Sequence, residues 1–265
     1  MGIPKIIHYC WFGGNPLPEL AQKCIASWEK YCPDYEIIRW DESNFDLNYN
    51  DYVREAYEAK KWAFVSDVAR LYALVNYGGI YMDTDTELLK PLDGLLHYEA
   101  VAGFESETHI AAGLMGCQAG QELIFELLHD YDGTHFIRPD GSYDLTTIVV
   151  RITDICQKYS FIPNNTLQTV KGFTLLPKDY LYPMDYITRG ITTTDRTLAL
   201  HHYAGSWLSE DQQLAQELFV KYKKYMPERA AGYLSAFASI KRTKGLKEAL
   251  YEVMAWKKRK REKNG

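Results

Sequence analysis

The chain has 265 residues, of which 46% are hydrophobic and 25% charged, with a formal net charge of -5. That is apolar material for one sizeable domain, or a domain with a small appendage, and the acidic balance excludes a general nucleic-acid binder, which carries a strong positive field. No stretch approaches the roughly 18 consecutive apolar residues of a membrane span, and the opening MGIPKIIHYCW lacks the basic region, apolar run and cleavage site of a signal peptide, so the expected compartment is the cytosol.

In chain order, Pro4 to Phe12 reads as a buried first strand turned by Gly13-Gly14-Asn15-Pro16. The glycine pair lacks both phosphate-loop spacings and is weak as a nucleotide motif. Leu17 to Tyr31 has helical spacing, and Tyr35 to Trp40 reads as a second strand closed by Asp41-Glu42-Ser43-Asn44. Strand, helix, strand in that order implies a right-handed crossover and a parallel pair. Ligands of such sheets sit beyond the strand C-termini, so Trp11, Asp41 and Asp83 are expected to converge there. Asn50 to Lys61 is a polar helix without evident chemistry. The five cysteines, Cys10, Cys24, Cys32, Cys117 and Cys156, are scattered without C-x-x-C spacing and read as buried free thiols.

The informative stretch is Trp62 to Leu92. Val65, Val68, Ala69, Leu71, Tyr72 and Val75 recur at three- and four-residue steps, which predicts a helix with one buried face. Gly78-Gly79 ends it by supplying backbone conformations that a side chain resists, and Ile80-Tyr81-Met82 follows as a short buried strand. Asp67 and Arg70 lie one turn apart on the helix, and an intrahelical salt bridge is the plain alternative to a ligand role. Past the strand, Asp83-Thr84-Asp85 sends two carboxylates to one side. At about 4 Å they repel by about 4 kcal/mol at an effective dielectric near 20, so burial asks for a cation beside them. Oxygen donors and paired charges suit Mg²⁺ or Mn²⁺, although D-x-D also occurs in surface turns that bind only water.

Further on, Thr86 to Pro91 is extended and Ala100 to Phe104 is a strand. His109 to Cys117 is small and apolar, with Gly113 and Gly116 letting a sugar or a strand approach the backbone. Gln121 to Tyr131 and Leu145 to Tyr159 read as helices, separated by a loop from Asp132 to Tyr143 that is long enough for a lid or an acceptor wall. Phe173 to Tyr182 carries short strands and a proline turn. Leu198 to Leu200 leads into His201-His202, a pair explained either by packing and capping or by metal ligation. Helices are predicted over Ser209 to Tyr225 and from Gly232 into Ile240. The basic run Lys257 to Lys263 is either a solvated charge run or, beside Leu250, Tyr251, Val253, Met254 and Trp256, a candidate for contact with anionic lipid.

The order S-D-x-x-R, helix, Y-G-G-I-Y-x-D-x-D resembles the DXD-containing sugar-binding family of glycosyltransferases, family 32, and the core of the large clostridial glucosylating toxins. The matching residues are Ser66, Asp67, Arg70, Tyr77, Gly78, Gly79, Tyr81, Asp83 and Asp85. IPKIIHYCWFGG resembles the family's opening strand, and the toxins' equivalent tryptophan stacks on uracil, which points to Trp11 as a base platform. His202, Ser206 and Trp207 match the closing H-x-x-x-S-W. The resemblance implies a GT-A-type α/β fold, a mostly parallel twisted sheet flanked by helices. It also implies that Asp83, Asp85 and His202 bind the metal, with His201 second choice to His202. Asp67 and Arg70 would orient sugar hydroxyls, and Trp11, Tyr81, Asp83, Ser206 and Trp207 would bind the donor, with Trp207 closing over the diphosphate. Two departures stand out: Thr108 and His109 occupy the place of a frequent Asn, and TTIVV replaces a frequent Thr-Gly-Pro.

The expectation is therefore a catalytic domain over residues 1–207 and a helical extension with a basic tail over 208–265. It would be a retaining transferase, using Mn²⁺ or Mg²⁺ to move a hexose from a nucleoside diphosphate sugar, UDP-galactose or UDP-glucose first and GDP-mannose close behind, to a glycan or lipid-linked acceptor, as in capsule synthesis. Glu105, Glu107 and Asp144 are the acids able to approach the anomeric carbon, and internal return without a nucleophile stays open. Rival readings are a metal-dependent phosphate-ester hydrolase and a non-catalytic nucleotide-sugar-binding subunit.

Overall fold

A computed structural model describes residues 2–186, 188–205, 208 and 210–252. The sheet is built from β1 (Ile6–Cys10), β2 (Glu36–Trp40), β3 (Gly79–Met82), β5 (Ala100–Phe104), β6 (Ile110–Cys117), β7 (Gln168–Val170) and β8 (Phe173–Leu176), in the order β2-β1-β3-β6-β5-β8-β7. β2, β1 and β3 pair in parallel, β6 is antiparallel to both β3 and β5, β8 runs parallel to β5, and β7 turns back. Five of the seven strands thus share one direction, with β6 and β7 reversed. The expected crossover is present as β1, then α1 (Glu19–Tyr31), then β2. A two-stranded ribbon of β4 (Thr86–Leu88) and β9 (Ala199–His201) lies apart from the large sheet.

Strand alternation divides the core into two layers. Ile7, Ile80, Met82, Val101 and Leu114 join one apolar cluster with Trp28 of α1. Their neighbours Tyr81, Ala100, Ala102 and Met115 join the other, with Val65, Val68 and Leu71 of α3 (Trp62–Tyr77) and the buried residues of α2 (Asp51–Glu58), α4 (Glu122–His129) and α5 (Ile148–Gln157). Helix α3 keeps its predicted ends because Gly78 (φ +65°) and Gly79 (φ +96°) turn the chain there. A Cβ on Gly79 would stand 2.7 Å from the Ile6 carbonyl oxygen, so only glycine lets β3 lie against β1 at that point. Buried His8 locks the same bend: its Nδ1 accepts from Trp40 Nε1 at 3.1 Å, which leaves Nε2–H to donate to the Gly78 carbonyl at 2.8 Å.

The chain resolves into two compact units, Met1–Met184 with Ile191–Tyr203, and Asp185–Gly190 with Ala204–Gly265. The first holds the sheet, with the short α6 (Lys178–Leu181) after β8; the second holds the hairpin of α7 (Glu210–Lys223) and α8 (Glu228–Thr243). Helix α8 begins ahead of the predicted Gly232 because Pro227 in extended conformation starts it. The five cysteines are free and buried, as expected. Among the described residues no helix is long and apolar enough to cross a membrane.

Candidate functional site

Helix α3 presents Asp67 and Arg70 to the sheet, and both side chains are more than nine-tenths buried. Arg70 is held on every side. Its guanidinium pairs with Asp67 Oδ1 at 3.0 Å and Asp83 Oδ1 at 3.2 Å, donates to the Ala112 carbonyl at 2.9 Å and stacks 4.4 Å from the centre of the Tyr81 ring. Tyr81 Oη donates to Asp83 Oδ1 at 2.8 Å, as residues two apart on one strand face allow. The Asp83 amide donates to the Gly113 carbonyl at 2.8 Å, extending the β3–β6 pairing by one rung. The chain then turns, with the Thr86 amide donating to the Asp83 carbonyl at 2.9 Å, and Trp28 Nε1 pins the Thr86 carbonyl at 2.7 Å.

That turn starts β4, whose antiparallel register sets Thr86 opposite His201. His201 Nε2 comes within 3.2 Å of Asp85 Oδ1 and 3.6 Å of Asp83 Oδ2. One ligand atom from each of Asp83, Asp85 and His201 lies within 4.8 Å of the others, the one such triad found among the described residues. His202, the histidine assigned to the metal by the closing motif, is placed otherwise: its Nε2 lies 2.8 Å from Glu87 Oε2, a carboxylate shared with Lys23 at 3.1 Å. Adjacent residues at the end of a strand point to opposite faces, so the register that delivers His201 turns His202 away.

Glycine makes the room. A Cβ on Gly113 would stand 2.9 Å from His201 Cδ2 and Nε2 and 3.0 Å from Asp83 Oδ2. The approach expected at this glycine is thus made by an imidazole. Charge follows the packing. Burial pulls the His201 imidazole down, but the Asp85 and Asp83 carboxylates outweigh it and push it up to about 10. Burial raises Asp83, and the Arg70 guanidinium and His201 more than offset it, so its carboxyl lies below the usual range. Asp67 is pushed up to about 6 by burial despite Arg70.

The donor set fits a divalent cation. Two carboxylates and an imidazole converge, neither ring nitrogen of His201 finds a well-aligned hydrogen-bond partner among the described residues, and Gly113 leaves the cradle open. The field that holds the imidazole proton also attracts such an ion.

The other sequence-derived residues are placed as follows. Trp11 is half-buried against the Trp28 cluster, with Nε1 donating to the Asn15 carbonyl at 2.6 Å. Ser206 and Trp207 lie outside the described residues. Of the three acids, Asp144 is bound by Arg138, Arg151 and Thr146, and exposed Glu107 accepts from Asn165. Glu105 sits in the field of His201 and Asp83, its carboxyl raised by burial. The loop after α4 is stapled at both ends: Glu55 holds His135 and the Ile137 amide, and Asp144 holds Arg138 and Arg151.

Sequence reasoning missed a cleft of about 620 Å³ lined by Gly13, Gly14, Asn15, Glu42, Tyr57, Lys60 and Trp62. Glu42 accepts from the Gly13 amide at 2.6 Å and from Tyr57 Oη at 3.3 Å, while the Tyr57 and Trp62 rings pack at 4.9 Å. The helix read as lacking chemistry therefore supplies one cleft wall. The available signal was the run Tyr57, Trp62 beside a glycine pair at a strand end.

Comparison with known proteins bears on this site. Residues 18–102 match the model described as "Glycosyltransferase sugar-binding region containing DXD motif". The chain is 34% identical over 132 residues to inositol phosphoceramide mannosyltransferase 3 of Schizosaccharomyces pombe, covering 48% of this chain and 37% of that protein. It is 32% identical over 126 residues to mannosyl phosphorylinositol ceramide synthase CSH1 of Saccharomyces cerevisiae, covering 43% and 31%. It thus spans about a third of the length of each of these two relatives. Among solved structures, the PaToxG glycosyltransferase aligns at 17% identity and TM-score 0.46, covering 59% of this chain and 69% of that one. A glycosyltransferase involved in glycosylation of the major capsid of PBCV-1 aligns at 12% identity and TM-score 0.43, covering 81% and 98%.

Proposed function

Starting from residues 18–102, which carry the DXD-containing sugar-binding region of a glycosyltransferase family, we propose that the chain moves a hexose from a nucleoside diphosphate sugar to a glycan or lipid-linked acceptor with retention, using Mn²⁺ or Mg²⁺. The observation that carries this reading is the convergence of Asp83, Asp85 and His201 beside the buried Asp67–Arg70–Asp83 ion-pair chain. Asp83, Asp85 and His201 would hold the divalent ion, which when bound supplies electrostatic relief for the charge that develops on a departing diphosphate. Arg70 fixes one Asp83 oxygen and leaves the other toward His201, so the carboxylate is oriented before donor arrives. Asp67 and Arg70 would balance charge and orient the sugar hydroxyls, Trp11, Tyr81 and Ser206 would serve the donor, and Trp207 would close over its diphosphate, as the family resemblance implies. Of the three acids, Glu105, which lies in the field of His201 and Asp83, is our candidate to face the anomeric carbon. The catalytic part is residues 1–207, with 208–265 as its helical extension.

The relatives' names, mannosyltransferase and inositol phosphoceramide, support a hexosyl donor and a lipid-borne acceptor. Mannose therefore moves up beside galactose and glucose, and a lipid-borne acceptor would place the work at a membrane surface, for which we choose the cytoplasmic face, with the basic tail on anionic lipid. Purified protein with Mn²⁺ and GDP-mannose, UDP-galactose and UDP-glucose, monitored for nucleoside diphosphate release, tests the reading, with Asp85→Asn as the inactive control. Release from one donor that Asp85→Asn abolishes supports it. Phosphate release from simple esters without sugar points to a hydrolase, and donor binding without turnover points to a binding subunit.

A further inference from the structure

Helix α8 carries its apolar surface inverted. Its buried residues are Ala231, Ser235 and Ser239, the two serine hydroxyls bonding back to carbonyls of their own helix. Tyr233 and Leu234 stand 42% and 47% exposed. Ala230, Tyr233, Leu234 and Phe237 follow the i, i+3, i+4, i+7 spacing of one continuous helical face, roughly opposite the small residues. In water a two-helix hairpin gains by turning that face inward and the serines outward. Apolar exposure continues past the helix at Leu246, Leu250 and Tyr251, which are 51%, 50% and 66% exposed.

Charge identifies what covers this face. Residues 204–265 contain 14 Lys and Arg against 7 Asp and Glu, a net of +7, of which +5 belongs to residues 253–265 outside the described residues, and this leaves -12 for residues 1–203. Arg229, exposed, flanks the apolar face, and Lys241 continues it one turn beyond Phe237 with an aliphatic stem and a charged tip; exposed Arg242 lies in the helix's last turn and exposed Lys247 follows it, with Glu228 and Glu248 the exposed acids of the segment. A second copy docked on the same face would bring two segments of net positive charge together, which opposes self-association. We propose that the Tyr233–Leu234–Phe237 face of α8, with Leu246, Leu250 and Tyr251, is a docking surface for a bilayer with anionic headgroups. The helix lies in the interfacial plane with its aromatic and aliphatic side chains among the acyl chains and its basic residues at the phosphates. This goes beyond the glycosyltransferase reading and stands without it; where both hold, it brings the catalytic unit to a lipid-borne acceptor.

The test uses the full chain and vesicles of phosphatidylcholine with and without phosphatidylserine. Co-sedimentation with the serine-containing vesicles is expected, weakening as salt is raised. Tyr233→Ser with Leu234→Ser, both at surface positions, is expected to weaken it by about tenfold or more, and Lys241→Glu with Lys247→Glu likewise, with the melting temperature and donor turnover in free solution unchanged. Failure to bind phosphatidylserine vesicles overturns the proposal. So does binding that the Tyr233 and Leu234 substitutions leave untouched, which would assign it to the basic tail alone, and so does a dimer in light scattering that those substitutions dissociate. Vesicle binding without turnover of any donor would instead sink the glycosyltransferase reading and leave this one standing.

Discussion

Gly113→Ala places one methyl group at the convergence of the site. The backbone there lies outside the left-handed region, so alanine is tolerated conformationally and the effect is steric. The new Cβ would stand 2.9 Å from two His201 atoms and 3.0 Å from Asp83 Oδ2, where ordinary contact begins near 3.4 Å. His201 is wedged between the Tyr182 and Tyr203 rings and Asp83 is held by Arg70 and Tyr81, so neither retreats freely. Overpacking of this kind costs about 1–3 kcal/mol, a fall in melting temperature of about 2–4 °C per kcal/mol for a chain of this size. Displacing two of three donors should also weaken Mn²⁺-dependent donor binding by about 10–100-fold, the range seen when the support of a metal ligand is disturbed. Gly116→Ala is the matched control: the nearest atoms to its Cβ would be Ile80 at 3.1 Å, Ile3 at 3.3 Å and the Gly79 carbonyl oxygen at 3.4 Å, so it should cost stability while leaving ion and donor binding unchanged. Calorimetric titration of both variants with Mn²⁺ and donor, beside their melting curves, decides the matter. Wild-type binding in Gly113→Ala would refute the reasoning.

Further expectations follow from the same geometry. His201→Asn should lose Mn²⁺-dependent donor binding, whereas His202→Asn should lose mainly the Glu87 contact and retain it; equal loss in both, measured by calorimetry, would contradict the register argument. Arg70→Ala leaves Asp67 and Asp83 buried without their cation and should cost about 3–5 kcal/mol in urea unfolding, with Arg70→Lys recovering only part because a point charge does not span both carboxylates. At Asp144, burial raises the carboxyl but bonds from Thr146 and the Arg151 and Arg138 guanidinium groups outweigh it and hold it below the ordinary range. A depressed acid stabilises the fold above its unfolded pKa and loses that contribution as pH falls through its folded pKa. Asp144→Asn should therefore lower stability at neutral pH and flatten the acid limb of a stability profile; an unchanged acid limb would count against the staple.

The parts of the site legible in sequence were the local ones. Asp67 with Arg70 and Tyr81 with Asp83 are fixed by helical and strand periodicity, and Gly78-Gly79 marks where one period gives way to the other. The choice of His201 over His202 depends on a ribbon between segments more than a hundred residues apart, Thr86 opposite His201, which no local pattern records. The Tyr57–Trp62 cleft has the same origin: its ring pair is only five residues apart in sequence, but the Gly13 and Glu42 side comes from the loops that follow β1 and β2. Two strands of the sheet were not read as strands: β6, whose eight buried residues show no alternation and read only as a small, apolar stretch, and β7, three residues at an edge, too short to show alternation. The extent of α8 was underestimated because its outward face breaks the rule that apolar residues mark the buried side.

The central claim is that Asp83, Asp85 and His201 together hold a divalent ion on which donor turnover depends. Diffraction at the manganese edge, from crystals grown with Mn²⁺ and a nucleoside diphosphate, tests it most directly: an anomalous peak among those three side chains is the predicted result. A peak at Glu87 and His202, or none anywhere in that crevice, would contradict the account.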